Sequence, residues 1–152
     1  MTKYETSLFA DYHQFYIQDD TDVGIDGDTW DKESSERMLA VSRGVVAIGT
    51  ARNMDVPVEI HLLDAPPERE FEDWDRVCEC PLEVTSGRLV IAGCTDYFPD
   101  AMRIELAAGM YRVRVSYGGL DTISADGLDG DDRYRIELWP STDQAITIVR
   151  PA

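Results

Sequence analysis

Lysine and histidine are almost missing from this chain, which holds two of each among 152 residues. With His13 and His61 alone, neither a nucleophile–histidine–acid triad nor a three-histidine zinc site can be assembled. Cysteine is sparse and odd in number, Cys78, Cys80 and Cys94, which argues against a disulfide framework. Cys78-x-Cys80 is one residue short of the spacing used by zinc and redox pairs. No apolar run approaches the ~18 residues of a membrane span. The opening MTKYETSLFADY has neither the basic nor the apolar region of a leader, so a cytoplasmic location with no membrane contact is expected. There is no glycine-rich phosphate loop after a strand and no nucleophile elbow. No pair of carboxylates stands in an apolar setting that would divide acid from base. The chain reads as a protein that is not an enzyme and needs no cofactor.

Acid is what the sequence has in excess. Thirty Asp+Glu stand against 14 Lys+Arg, a formal net charge of −16 and a pI near 4.3. Such a field repels phosphates, which excludes nucleic acid and anionic lipid and favours a basic protein partner or a cation. A hydrophobic fraction of 43% with 3 Trp, 7 Tyr and 4 Phe excludes disorder. The length suits one domain over 1–152, able to bury roughly 70% of its unfolded surface. The charge is uneven: −7 over 1–35, −6 over 62–83 and −5 over 121–132, with the remainder close to neutral. The acidic stretches are loop-like, and the neutral ones carry the strand pattern. Either the acidic loops are separately solvated, or they converge on one face that attracts a partner.

Alternation with period two recurs along the chain. In Tyr12–Gln18, His13, Phe15 and Ile17 share a face. Val45–Ala51 and Val56–Leu63 read as a hairpin turning at Asn53 and Asp55. Further strands are expected at 77–84, 89–94, 102–106, 111–117, 134–138 and 146–149. Arg112 and Arg114 fall on the side of their strand opposite Tyr111 and Val113, a face expected to be wet. Cys78 and Cys80 point the same way as Leu82, as small buried hydrophobes. One helix is expected around Asp31–Leu39, and 64–75, with Pro66-Pro67, reads as a long exposed loop. About nine closely spaced strands with one short helix predict an all-β protein, an antiparallel β-sandwich.

Two aspartate-rich stretches invite a calcium reading. In Asp19–Asp28, counting from Asp20 puts Ile25 where an EF-hand needs glycine, and Asp126–Asp132 fails in a similar way. No metal site is assigned, although a calcium- or carbohydrate-binding sandwich stays open as an alternative, as does a structural domain. Trp30 stands in an acidic loop, the composition of a protein-binding hot spot. The candidate partner-binding set is therefore Asp19, Asp20, Asp22, Asp26, Asp28 and Trp30 together with Asp126, Asp129, Asp131 and Asp132. The expectation is that loops 19–31 and 121–132 share one end of the sandwich.

One set of short blocks is similar to a known family. Asp11-Tyr12-His13-Gln14-Phe15 with Gln18-Asp19, Trp30-Asp31, Gly44-Val45 and Ala51-Arg52-Asn53, then Leu82-Glu83-Val84 and Ile104-Glu105-Leu106 with Gly109-Met110-Tyr111, follow in order. This resembles the ComJ (Nin) family of bacterial competence proteins, inhibitors of the DNA-entry nuclease NucA. The resemblance spans residues 9–117 in scattered blocks. The 64–75 loop and the tail from Gly118 to Pro151 depart from it as extra length. The resemblance implies a small cytosolic β-rich protein that binds and silences a nuclease, and it carries over no individual functional residue.

Overall fold

The structure, a computed structural model, describes residues 2–21 and 29–151. Among these are eleven strands and one short helix: β1 (Thr2–Phe9), β2 (Gln14–Asp19), α1 (Lys32–Arg37), β3 (Leu39–Ser42), β4 (Val45–Gly49), β5 (Asp55–Leu62), β6 (Arg76–Val84), β7 (Arg88–Gly93), β8 (Met102–Glu105), β9 (Gly109–Gly118), β10 (Arg133–Pro140) and β11 (Thr147–Arg150). They form a six-stranded sheet in the order β1-β5-β10-β9-β6-β11 and a five-stranded sheet in the order β3-β4-β2-β7-β8. All pairings are antiparallel except β5 with β10. The protein is all-β, as its alternation predicts.

The core lies between the sheets and is built from the period-two faces. Tyr111, Val113, Val115 and Tyr117 of β9 and Tyr134, Ile136 and Leu138 of β10 meet Phe15 and Ile17 of β2, Ile48 of β4 and Leu89 and Ile91 of β7. Cys78 and Cys80 join this core as free thiols. Tyr134 packs edge-on against both Phe15 and Tyr117, each with ring centroids 5.9 Å apart.

The structure adds β1 and β3 to the nine expected strands. Their sequences hide them: β1 (TKYETSLF) buries only Leu8, and β3 has four residues directly after the helix. α1 is where the sequence places it. Asp31 caps it, accepting from Ser34 N–H at 2.8 Å while Ser34 Oγ accepts from Asp31 N–H at 2.7 Å. Met38, in the left-handed region at φ 60°, ends it by donating to the Ser34 and Ser35 carbonyls.

Three local expectations need correction. Val45–Ala51 and Val56–Leu63 are not a hairpin, because β4 and β5 belong to different sheets and 50–54 carries the chain between them. His13 is not on an apolar strand face; it ends a 3₁₀ turn at Asp11–His13 and is exposed. Nor is the outer face of β9 wet. Arg112 and Arg114 are buried, and both donate to Glu79, at 3.3 and 2.9 Å. The 64–75 segment folds over them rather than standing free: the Glu68 carbonyl accepts from Arg114 at 2.9 Å, and the Arg114 guanidinium lies over Phe71 and Trp139. Trp74, from the same segment, is buried beneath Arg133, 4.1 Å from its ring centroid.

Two outcomes follow. Glu79→Ala leaves two buried guanidinium groups without their carboxylate, so urea unfolding should show a loss of about 3–5 kcal/mol. Burial pushes the Cys80 thiol up to about 12 and raises Cys78 as well. Thiol labelling of native protein at pH 8 should therefore modify at most Cys94, and denaturation without reductant should release all three; fewer than three would contradict the free-thiol structure.

Candidate protein-binding end of the sandwich

The strand registers sort the loops into two ends. β2 starts opposite Gly49 and Gly93 and finishes opposite Val45 and Leu89. β9 starts opposite Val84 and finishes at Gly118, opposite Arg133. One end therefore carries the 10–13, 50–54 and 119–132 loops, α1 and the start of the 94–101 loop. The other carries the turns at Arg43-Gly44 and Thr85-Gly87. Ten residues of β9 separate them by about 30 Å.

Asp19 and Asp20 lie at the second end, not with loop 121–132; among the described residues of segment 19–31, Trp30 and Asp31 lie at the first end. Asp19 is buried, and its two oxygens accept from Thr85 N–H and Oγ1 (3.1 and 2.7 Å), Ser86 N–H and Oγ (2.9 and 2.6 Å) and the Thr21 hydroxyl. It ties the end of β2, in one sheet, to the β6–β7 turn between the sheets. Burial alone would raise its pKa; the bonds from Ser86, Thr21 and Thr85 outweigh that and hold the carboxyl well below the usual range. Asp20 bridges Arg88 at 2.7 Å and Arg103 at 3.1 Å, and the Arg88 hydrogen bond leads in holding its pKa down. Asp22, Asp26 and Asp28 lie outside the described residues.

At the first end, Asp132 is also internal. It is fully buried, 2.8 Å from Arg52 Nε, and accepts from the Tyr134 hydroxyl at 2.6 Å. The rest of that loop curls on itself above it. Ser124 N–H donates to the Asp129 carbonyl (2.7 Å), Asp131 N–H to Thr122 Oγ1 (2.8 Å), and Asp126 accepts from Ser124 Oγ (2.6 Å) and Leu128 N–H (3.0 Å). Gly119, at φ 66°, allows the loop to close, because a Cβ there would run into the Asp131 carbonyl. Asn53 N–H donates to the Gly127 carbonyl at 2.9 Å, docking this loop on the β4–β5 crossover. Asp126, Asp129 and Asp131 remain exposed on its surface.

Trp30 stands at the same end, its indole N–H donating to Gln14 Oε1 at 2.9 Å. It helps to line a cavity of about 290 Å³ with Tyr12, His13, Met38 and Gly49. Tyr12 and His13 are consecutive non-glycine residues in the left-handed region, at φ 57° and 58°, each costing about 1–2 kcal/mol for an L-residue. Neighbours hold them there: His13 N–H donates to the Ala10 carbonyl (3.1 Å), Thr50 N–H to the His13 carbonyl (2.9 Å), and Tyr12 N–H to Asp11 (3.1 Å). Phe9, Tyr12, Met54 and Leu128 are all exposed here. Sequence reasoning passed over these four. Leu128 offered a signal, as a lone leucine between Gly127 and Asp129 with no strand period around it. Among the described residues, no group of three His, Cys, Asp or Glu could hold a metal ion, and no helix is long and apolar enough to cross a membrane.

The model of the Competence protein J (ComJ) family matches residues 7–139. The chain belongs to the ComJ family. A crystal structure of ComJ from Bacillus subtilis, described as an inhibitor of the DNA-degrading activity of NucA, superposes with a TM-score of 0.71 at 18% identity, covering 92% of this chain and 98% of that one. A structure described as crocagin biosynthetic gene J superposes with a TM-score of 0.61, also at 18% identity, covering 93% and 99%. No curated protein matches the sequence. The family match runs to residue 139 and so takes in the first part of the tail beyond Gly118, which the resemblance set down as extra length.

A ComJ-family chain with Asp19 as its latch should lose stability when that latch is weakened. Asp19→Asn should cost about 2–3 kcal/mol in urea unfolding at pH 7. The carboxyl pKa is lowered on folding, so its contribution is complete above the unfolded value of about 3.9 and is lost as pH falls below it. The stability of Asp19→Asn should therefore depend less steeply on pH below 4 than that of the wild type.

Proposed function

We propose that this protein is a cytoplasmic nuclease inhibitor, not itself an enzyme, that binds a basic nuclease by direct protein contact. The observation that carries this reading is membership of the ComJ family across residues 7–139. The ComJ structure described as an inhibitor of NucA supports it, since that fold matches nearly the whole chain. The electrostatics agree. A nuclease that grips DNA must present a basic cleft, and a −16 protein competes for it without offering phosphate.

The contact face in this proposal is the end that holds Asp126, Asp129, Asp131 and Trp30. Asp19, Asp20 and Asp132 are left out, because their oxygens are engaged within the fold. Exposed carboxylates around open apolar side chains form the polar rim and apolar centre of a protein-binding surface.

The test is inhibition of a purified NucA-type nuclease from the same host, with association followed at several salt concentrations. The wild type should inhibit, and its association should slow as salt rises. Asp126→Asn with Asp129→Asn and Asp131→Asn should reduce the association rate about tenfold at low salt and flatten the salt dependence. Unchanged rate and slope would show that these carboxylates are only a solvated surface.

A further inference from the structure

The cavity between Tyr12 and Trp30 has the chemistry of a receptor for one organic cation. Its volume is about 290 Å³, and its walls include Tyr12, Trp30 and Met38, with no lysine or arginine among the lining residues. Asp11 and Asp31 adjoin the two aromatic residues in sequence, Asp11 accepting from Tyr12 N–H at 3.1 Å and Asp31 capping α1, and the exposed Asp126, Asp129 and Asp131 stand at the same end of the sandwich. Aromatic faces attract guanidinium and ammonium groups, and the attraction grows as the cation is removed from water. The thioether of Met38 gives the cavity an adaptable apolar wall.

Tyr12 is displayed rather than stored. It is 71% exposed, although tyrosine at the edge of a sandwich could bury its ring in the core. Its left-handed backbone is followed by a second left-handed residue, His13, whose N–H is shared between the Ala10 carbonyl and Asn53 Oδ1, and whose Nδ1 lies 3.1 Å from the Thr50 carbonyl. Strain that its surroundings over-determine, and that presents a large aromatic to solvent beside a cavity, is the signature of a recognition residue.

We propose that this cavity receives one arginine side chain of the basic protein bound at this end, with Tyr12 closing over the guanidinium. The inference rests on the nuclease-inhibitor reading and adds to it the residue that anchors the complex and the side chain it anchors. Charge complementarity selects the occupant: an acidic end with an aromatic-walled cavity favours a basic side chain over an apolar or acidic one. Arginine is favoured over lysine because its planar guanidinium stacks on rings and is more weakly hydrated.

The experiment compares wild type, Tyr12→Ala, Tyr12→Gly and Tyr12→Phe against the host's NucA-type nuclease, with arginine-to-alanine and lysine-to-alanine variants of the nuclease for double-mutant cycles. Tyr12→Ala and Tyr12→Gly should speed dissociation about tenfold or more and leave association within about twofold. Tyr12→Phe, which keeps the ring, should bind nearly as the wild type does. Melting temperatures should stay within a few degrees, since the ring is outside the core and glycine suits the left-handed backbone. One nuclease arginine should couple to Tyr12 at least about fivefold. Wild-type protein that fails to inhibit overturns the proposed function and this inference with it. Inhibition that persists unchanged in Tyr12→Ala, or coupling found at lysine and at no arginine, overturns this inference alone.

Discussion

The buried carboxylate of Asp132 joins Arg52 at 2.8 Å and Tyr134 at 2.6 Å, and the Tyr134 hydroxyl accepts in turn from Ala51 N–H at 2.8 Å. Arg52 and Ala51 belong to the crossover between the sheets, and Asp132 closes the acidic loop before β10. Tyr134 is also a core residue, its ring edge-on to Phe15 and Tyr117. One side chain thus connects the apolar interior to the loops at its end. A buried carboxylate is tolerable only when it is paired and hydrogen-bonded, and the reverse also holds: the crossover and the acidic loop are kept in register because they must satisfy it.

A second buried carboxylate does the same at the other end. Asp19 collects donors from Thr21, Thr85 and Ser86, so the end of β2 and the β6–β7 turn cannot separate without exposing them. Glu79 holds Arg112 and Arg114 on the outer face of β9. Acidic excess in this protein therefore has two distinct uses. Some carboxylates are internal fasteners, and others, such as Asp126, Asp129 and Asp131, stand on the surface.

Much of the fold was legible because burial imposes period two on a sandwich strand. β5 and β10 show it in alternating buried and open positions, and α1 shows its cap in Asp31 and Ser34. β1 escaped because an edge strand with a mostly exposed face needs few apolar residues. The wet face expected for Arg112 and Arg114 was a local inference, overturned by a segment distant in sequence that folds over them. Of the proposed contact face, Trp30 and the exposed aspartates of 121–132 were legible by composition, and Tyr12 was not, because exposure of a tyrosine follows from the backbone of its turn.

The sequence by itself determined the class of fold, the position of the helix, the free thiols and the acidic field, since each follows from residue type and spacing within a few neighbours. It also carried enough pattern for membership of the ComJ family. Only the tertiary structure decided which strands share a sheet, which carboxylates face inward, and that Asp19 and loop 121–132 lie at opposite ends. Those outcomes depend on pairings between residues tens of positions apart: Asp19 meets Ser86, and Arg52 meets Asp132. No local propensity encodes such partners, because the free energy that selects them exists only once both sheets have closed over a common core.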